Sequence, residues 1–128
     1  MAIAGKGGSV YIGANKVAEI SQWSIDCEAD DIDVTSFDSN GWKEFIAGLK
    51  EWSGSFEGNL NPNDTNGQVA LINAWLNGTT VNLELRIDAT KKLSGSALVK
   101  PSIEMPVDDK GSISFDFQGT GQLTVTLT

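Results

Sequence analysis

Six acidic side chains fall within thirteen residues: Asp26, Glu28, Asp30, Asp31, Asp33 and Asp38, with no base among them. Clustered carboxylate oxygens are what a hard cation such as calcium needs, and two carboxylates at a fixed separation could share glycoside hydrolysis. The spacing supports neither. The EF-hand pattern is absent, and consecutive residues of a strand point to opposite faces, which divides the cluster between two surfaces. The segment Asn61-Pro-Asn-Asp-Thr-Asn-Gly67 also carries oxygens, but its Gly is out of register and the twelfth position is the apolar Ile72. It reads as the turn that starts a helix. Gly5-Lys-Gly-Gly8 and Gly119-Thr-Gly121 do not complete a dinucleotide fingerprint. With no His and the single Cys27, the 128-residue chain has no Ser-His or Cys-His nucleophile and cannot build a structural zinc site or a disulfide staple. No catalytic residue, cofactor or metal is therefore assigned, and the expectation is a protein that is not an enzyme.

Four tryptophans, Trp23, Trp42, Trp52 and Trp75, suggest stacking on sugars. By alternation Trp23, Trp52 and Trp75 lie on apolar faces and read as core. Trp42 sits in a Gly-flanked stretch and suits a docking anchor as well as a sugar platform. Cys27 shares the inward face of its strand and reads as a small buried hydrophobe.

Period-two alternation dominates the elements that must position these groups. Strands are expected at Ser9–Gly13, Val17–Cys27, Trp52–Leu60 and Val81–Ala89, then near Gly95–Val99, Ile103–Val107, Ser112–Gln118 and Gln122–Leu127. Asp108-Asp-Lys-Gly111 reads as a hairpin turn. Gln68–Asn77 has helical spacing, with start signals at Pro62, Asp64, Thr65 and Asn66 and a stop at Gly78. One or two helical turns are also expected in Trp42–Leu49, from Trp42, Phe45, Ile46 and Leu49. The sum is a mainly β chain, a β-sandwich or barrel with one flanking α-helix, in one domain over 1–128 with residues 1–8 as a flexible arm.

Nine Lys and Arg against seventeen Asp and Glu give a net charge of −8, which argues against a protein that grips phosphate backbones or an anionic membrane. The N-terminus has no apolar core of signal-peptide length, and no apolar run is long enough to span a bilayer. At this mass a compact monomer would expose roughly 6,600 Å². Ser112, Ser114, Gln118, Thr124, Thr126 and Thr128 make the outer faces polar but uncharged, so exposed edges are poorly guarded by Lys.

The stretch Ser39-Asn-Gly-Trp-Lys-Glu-Phe-Ile-Ala-Gly-Leu-Lys-Glu-Trp-Ser-Gly-Ser-Phe-Glu-Gly58, after Asp33-Val-Thr-Ser-Phe37, resembles the major tail (tail tube) proteins of long-tailed, non-contractile bacteriophages. Gln68-Val-Ala-Leu71 through Trp75 and Gly78, Leu93-Ser-Gly-Ser-Ala97, the hairpin Ile103–Gly111 and the ending Phe115-Asp-Phe-Gln-Gly-Thr-Gly-Gln-Leu123 follow the same order. The likeness runs from about Gly8 to the C-terminus. It implies hexameric rings whose inner sheets join into a β-barrel, stacked into a tube in the virion tail after assembly in the host cytoplasm. The implied partners are further copies of the chain, tape-measure, tail-tip and terminator proteins, and double-stranded DNA that passes without specific binding; no membrane binding is implied. A long loop between early strands contacts the next ring in such proteins, matching about 30–50 here. Its Ile32, Val34, Phe37, Trp42, Phe45, Ile46 and Leu49 are the expected inter-ring residues, ordered on stacking. Asp26, Glu28 and Glu57, on outward strand faces, are the expected lumen residues, with faces around Glu84 and Asp88 as the alternative. The competing class is a carbohydrate-binding or adhesion β-sandwich.

Overall fold

The computed structural model describes residues 2–127; Met1 of the expected arm and Thr128 of the last polar face lie outside them. Eight strands occur in chain order: β1 (Ser9–Ile12), β2 (Asn15–Lys16), β3 (Ile20–Asp33), β4 (Phe45–Asn59), β5 (Val81–Arg86), β6 (Lys92–Glu104), β7 (Ser112–Gly119) and β8 (Thr124–Thr126). One helix, α1 (Gln68–Asn77), stands between β4 and β5. The strands form one antiparallel sheet in the order β2-β1-β5-β6-β7-β4-β3, with β8 added to β6. β1 also packs against β3, so the sheet curls until its two ends approach. This is the expected barrel-like β fold with a flanking helix.

Alternation explains the enclosed face. Trp52 and Phe56 of β4, Ile113, Phe115 and Phe117 of β7, Ala97 and Val99 of β6, Leu83 and Leu85 of β5 and Val10 of β1 are buried in one cluster. Phe56 stacks on Phe115 with ring centroids 5.1 Å apart. Trp52 lies over Gly95 and Gly119, and its indole Nε1 donates to the Gly121 carbonyl at 3.1 Å.

α1 packs on β6 and sends Leu71 into the core. Its first residue fixes it there. The buried Gln68 donates through Nε2 to the carbonyls of Ala18 and Asn59, both at 2.9 Å, and accepts from the Asn61 backbone N–H at 2.8 Å. Asp64 Oδ2 accepts from the backbone N–H groups of Ala18 and Gln68, so the 61–67 segment is a helix-start turn bolted to the β2–β3 connection. Gly78 ends α1 in the left-handed conformation.

Several expectations change. Phe45–Leu49 is strand, not helix, because β4 runs on from Asn59 to Phe45 against β3. The expected strands Gly95–Val99 and Ile103–Val107 merge into one, which passes through Pro101 and ends at Glu104, leaving 105–107 to the turn. β5 stops pairing at Ala97, so beyond it β6 has a free edge that tolerates a proline. The two-residue β2 is an addition to the expected strands. β7 is an interior strand, so its polar outer residues mark no open edge; the strands with a single neighbour are β2, β3 and β8, and only β8 carries the expected Thr124 and Thr126. Cys27 is exposed. It does point to the inner face, opposite Trp52, but the core ends at that level. Trp75 is 52% exposed on α1 and is not core, while Trp23 is half-buried and Trp52 buried.

The β5–β6 turn carries the clearest local electrostatics. Asp88 accepts from the backbone N–H groups of Thr90 and Lys91, each at 2.8 Å, and these bonds hold its carboxyl down to about 2. A depressed folded-state value means that the stabilising contribution is in place above the ordinary value near 3.8 and is lost as pH falls toward 2. An NMR titration should place the Asp88 midpoint near 2; a midpoint near 4 would show the turn is open.

Candidate functional site

Two surfaces stand out. The first is the polar face of the sheet formed by β3, β4, β7 and the C-terminal half of β6. Facing pairs place Gln22, Ser24, Asp26 and Glu28 of β3 beside Glu57, Ser55, Ser53 and Glu51 of β4. The same row continues through Ser114, Asp116 and Gln118 of β7 to Ser102, Lys100 and Leu98 of β6, with Glu104 beside Ser112. The expected acids Asp26, Glu28 and Glu57 thus share one face, and β-register brings Glu51, Asp116 and Glu104 to it as well. Asp116 and Glu104 escape sequence reasoning because pairing between distant strands is not written in the local sequence, whereas Glu51, in step with Ser53, Ser55 and Glu57, lies one residue before the expected strand start at Trp52. The face carries six carboxylates and one ammonium, Lys100, for a net −5. Glu28 stands directly opposite Glu51. A like-charge cross-strand pair is unfavourable for an isolated fold, so its presence points to a requirement outside folding.

The alternative acids sit in a different setting. Glu84 is buried, with Lys92 Nζ 2.8 Å and Arg86 Nη2 3.6 Å from its Oε1. The Arg86 guanidinium also lies 3.7 Å from the Tyr11 ring centroid. Asp88 is paired with Lys91. That side of the sheet is charge-balanced, and the β3–β4–β7–β6 face is not.

The second surface is a ribbon. β7 pairs with β4 only from Ser53 onward, so Phe45–Trp52 has β3 as its sole strand neighbour. At about 3.3 Å per residue this hairpin projects roughly 26 Å from the barrel. The segment expected as a loop over 30–50 is therefore mostly two-stranded ribbon, and the connection shrinks to 34–44. An irregularity between Ala29 and Asp31 shifts the register, after which Ile32 opposes Ile46 and Asp33 opposes Phe45. In the turn, Asp33 accepts from the Thr35 N–H, and Thr35 holds its carboxyl below the ordinary range. Ser36 and Ser39 cap a short 3-10 turn over Phe37–Ser39. All seven expected apolar residues, Ile32, Val34, Phe37, Trp42, Phe45, Ile46 and Leu49, are exposed, with Trp42 at 76% and Phe37 fully so. Total exposed surface is 8697 Å², about a third above the roughly 6,600 Å² expected of a compact monomer. Trp42 at the ribbon's turn and Trp75 on α1 lie on separate elements and form no common stacking platform. Among the described residues no three His, Cys, Asp or Glu side chains gather as metal ligands, and no helix is long and apolar enough to cross a membrane.

The sequence profile of the phage tail tube proteins matches residues 3–125, almost the whole chain. The chain belongs to the phage tail tube protein family. It is a structural protein of the virion tail, built for tube formation. A search of curated protein sequences gave no match. Among solved structures, the tail of an empty gene transfer agent particle with C6 symmetry aligns over 98% of this chain and 100% of that one, at 20% identity and a TM-score of 0.85. The native gene transfer agent virion gives 19% identity over the same shares, also at 0.85. The SPP1 tail tube aligns over 98% of this chain and 80% of that one, at 15% identity and 0.72. At these identities the likeness establishes the fold.

Proposed function

We propose that six copies of this tail tube protein close into a ring, that rings stack through the β3–β4 ribbon, and that the β3–β4–β7–β6 face lines the lumen through which double-stranded DNA passes. The observation that carries the reading is the unbalanced acidic face. Six copies of −5 put −30 on each ring of the wall. A phosphate backbone beside such a wall is repelled rather than held, so the duplex slides without adhering. The C6 symmetry of the gene transfer agent tail, whose fold this chain shares, supports the choice of six. Tape-measure, tail-tip and terminator proteins complete the proposed set of partners, setting tube length and closing its ends.

Negative-stain microscopy of the purified protein tests the assembly. Rings or tubes about 100 Å across are expected, the scale of six domains of this size around a duplex-wide pore. A protein that remains monomeric and is retained on a glycan column would instead favour the sugar-binding class.

The ribbon makes a separate prediction. A lone two-stranded hairpin is marginal in water, and this one carries large apolar side chains with nothing over them. Amides of Phe45–Lys50 should exchange quickly in the monomer and slow by on the order of 100-fold in the tube. Equal protection in both states would remove the ribbon from the stacking contact.

A further inference from the structure

The ribbon needs a receiving surface, and the fold offers one at its far end. Ile103 at the end of β6, and Met105 and Val107 in the β6–β7 turn beyond it, are exposed, Val107 completely. The turn is tied to the barrel where the Leu60 N–H donates to the Gly111 carbonyl at 3.0 Å. Register fixes its position. Asn59 pairs with Ser112 and Gly58 with Ile20, so the turn stands at the end of the ladder where β3 begins, while the ribbon leaves from the opposite end. The fifteen residues of β4 separate the two by about 50 Å.

We infer that the β6–β7 turn of one subunit receives the ribbon of a subunit in the adjacent ring. This rests on the proposed reading of the ribbon as the stacking element. Two different apolar surfaces at opposite ends of one chain cannot form a two-fold contact with each other; they join head to tail and repeat without limit. That is the symmetry a tube requires. Both surfaces are acidic overall, the ribbon with Asp30, Asp31, Asp33, Asp38 and Glu44 against Lys43 and Lys50, the turn with Glu104, Asp108 and Asp109 against Lys110, so the contact rests on its apolar side chains and not on net charge. Lys43 and Lys50 form no salt bridge among the described residues, and neither do Asp108 and Asp109, which leaves these bases and acids open to pair locally at the rim. The projecting length, close to that of the Ser53–Asn59 part of β4 within the barrel, lets the ribbon reach along the neighbour rather than touch it at a point.

The test uses two variants of the full chain, both changed only at exposed positions: Trp42→Asp with Phe45→Asp in the ribbon, and Met105→Asp with Val107→Asp in the turn. Rings of each, purified separately, should fail to build tubes. Mixed, they should form pairs of rings and nothing longer, because one intact turn meets one intact ribbon and both outer ends are dead. If the turn variant builds tubes as the parent does, or the mixture gives no pairs, the receiving surface is elsewhere. If the ribbon variant builds tubes, the ribbon reading itself falls. Should either variant not form rings, cross-linking in parent-like tubes decides. With Trp42→Cys and Val107→Cys in a Cys27→Ser background, a short bis-maleimide should give a ladder of covalent multimers, each single-cysteine chain giving at most dimers. Monomers alone would overturn the assignment.

Discussion

Gly119→Ala is expected to lower the melting temperature of the subunit by about 10 °C or more, the equivalent of about 3 kcal/mol for a chain of this size. A Cβ at position 119 would lie 2.0 Å from Trp52 Cε2 and 2.4 Å from its Nε1. The indole rests directly on both glycines, since a Cβ at Gly95 would likewise meet Cζ2 at 2.6 Å, and the Nε1–Gly121 bond holds the ring toward the C-terminal segment. Accommodating the methyl therefore means displacing the largest side chain of the core, 5% exposed, and opening the layer beneath Phe117. Overpacking alone costs about 1–3 kcal/mol, and expelling part of a tryptophan adds to it. Thermal or urea unfolding checks this. A variant within about 2 °C of the parent would show that Trp52 is not clamped as described.

Reversing the acidic face has the largest expected effect on function. Asp26→Lys, Glu28→Lys and Glu57→Lys together shift each subunit by +6 and each ring of six by +36, turning a −30 wall into a +6 one. All three side chains are exposed in the subunit, and the change at position 28, opposite Glu51, replaces a repulsive pair with an attractive one, so the fold should not suffer. Tubes should therefore assemble. DNA delivery through them should fall by orders of magnitude, because the wall now offers phosphate contacts whose strength depends on salt. Particles carrying the variant are to be scored for tube formation by microscopy and for DNA ejected in vitro at two ionic strengths. Normal ejection at low salt would contradict the lumen assignment.

Much of the architecture is legible in the residues. The alternation of Val81, Leu83 and Leu85, and of Trp52, Gly54, Phe56 and Gly58, names both the strands and their buried face, because a half-exposed strand leaves no other pattern. The helix and its start turn are legible too, although the network that anchors it, centred on Gln68, is not: a glutamine at a helix start looks like any exposed one until Ala18 and Asn59 come beside it. The ribbon misleads in part. Trp42, Phe45, Ile46 and Leu49 match helical spacing because an element with apolar residues on both faces has no period of its own to display. Both faces are apolar in a segment that nothing in its own subunit covers. Cys27 illustrates the same limit from the other side. Alternation gives its face correctly, but whether that face is covered depends on where β7 and the C-terminal segment stop. The membership of Asp116 and Glu104 in the acidic face is likewise a fact of register, available only once the strands are paired.

The net charge of −8 gains meaning from that register. It is not spread evenly: around Glu84 and Asp88 acids are matched by Arg86, Lys91 and Lys92, whereas the β3–β4–β7–β6 face has Lys100 alone among six carboxylates. An acidic wall suits the proposed lumen, in which DNA is cargo and not ligand.

A cryo-electron-microscopy reconstruction of the assembled tube tests the central claim most directly. The expected result is six-fold rings with Asp26, Glu28 and Glu57 on the inner wall. Finding those carboxylates on the outer surface of the tube, or buried between subunits, would contradict the lumen assignment and the function built on it.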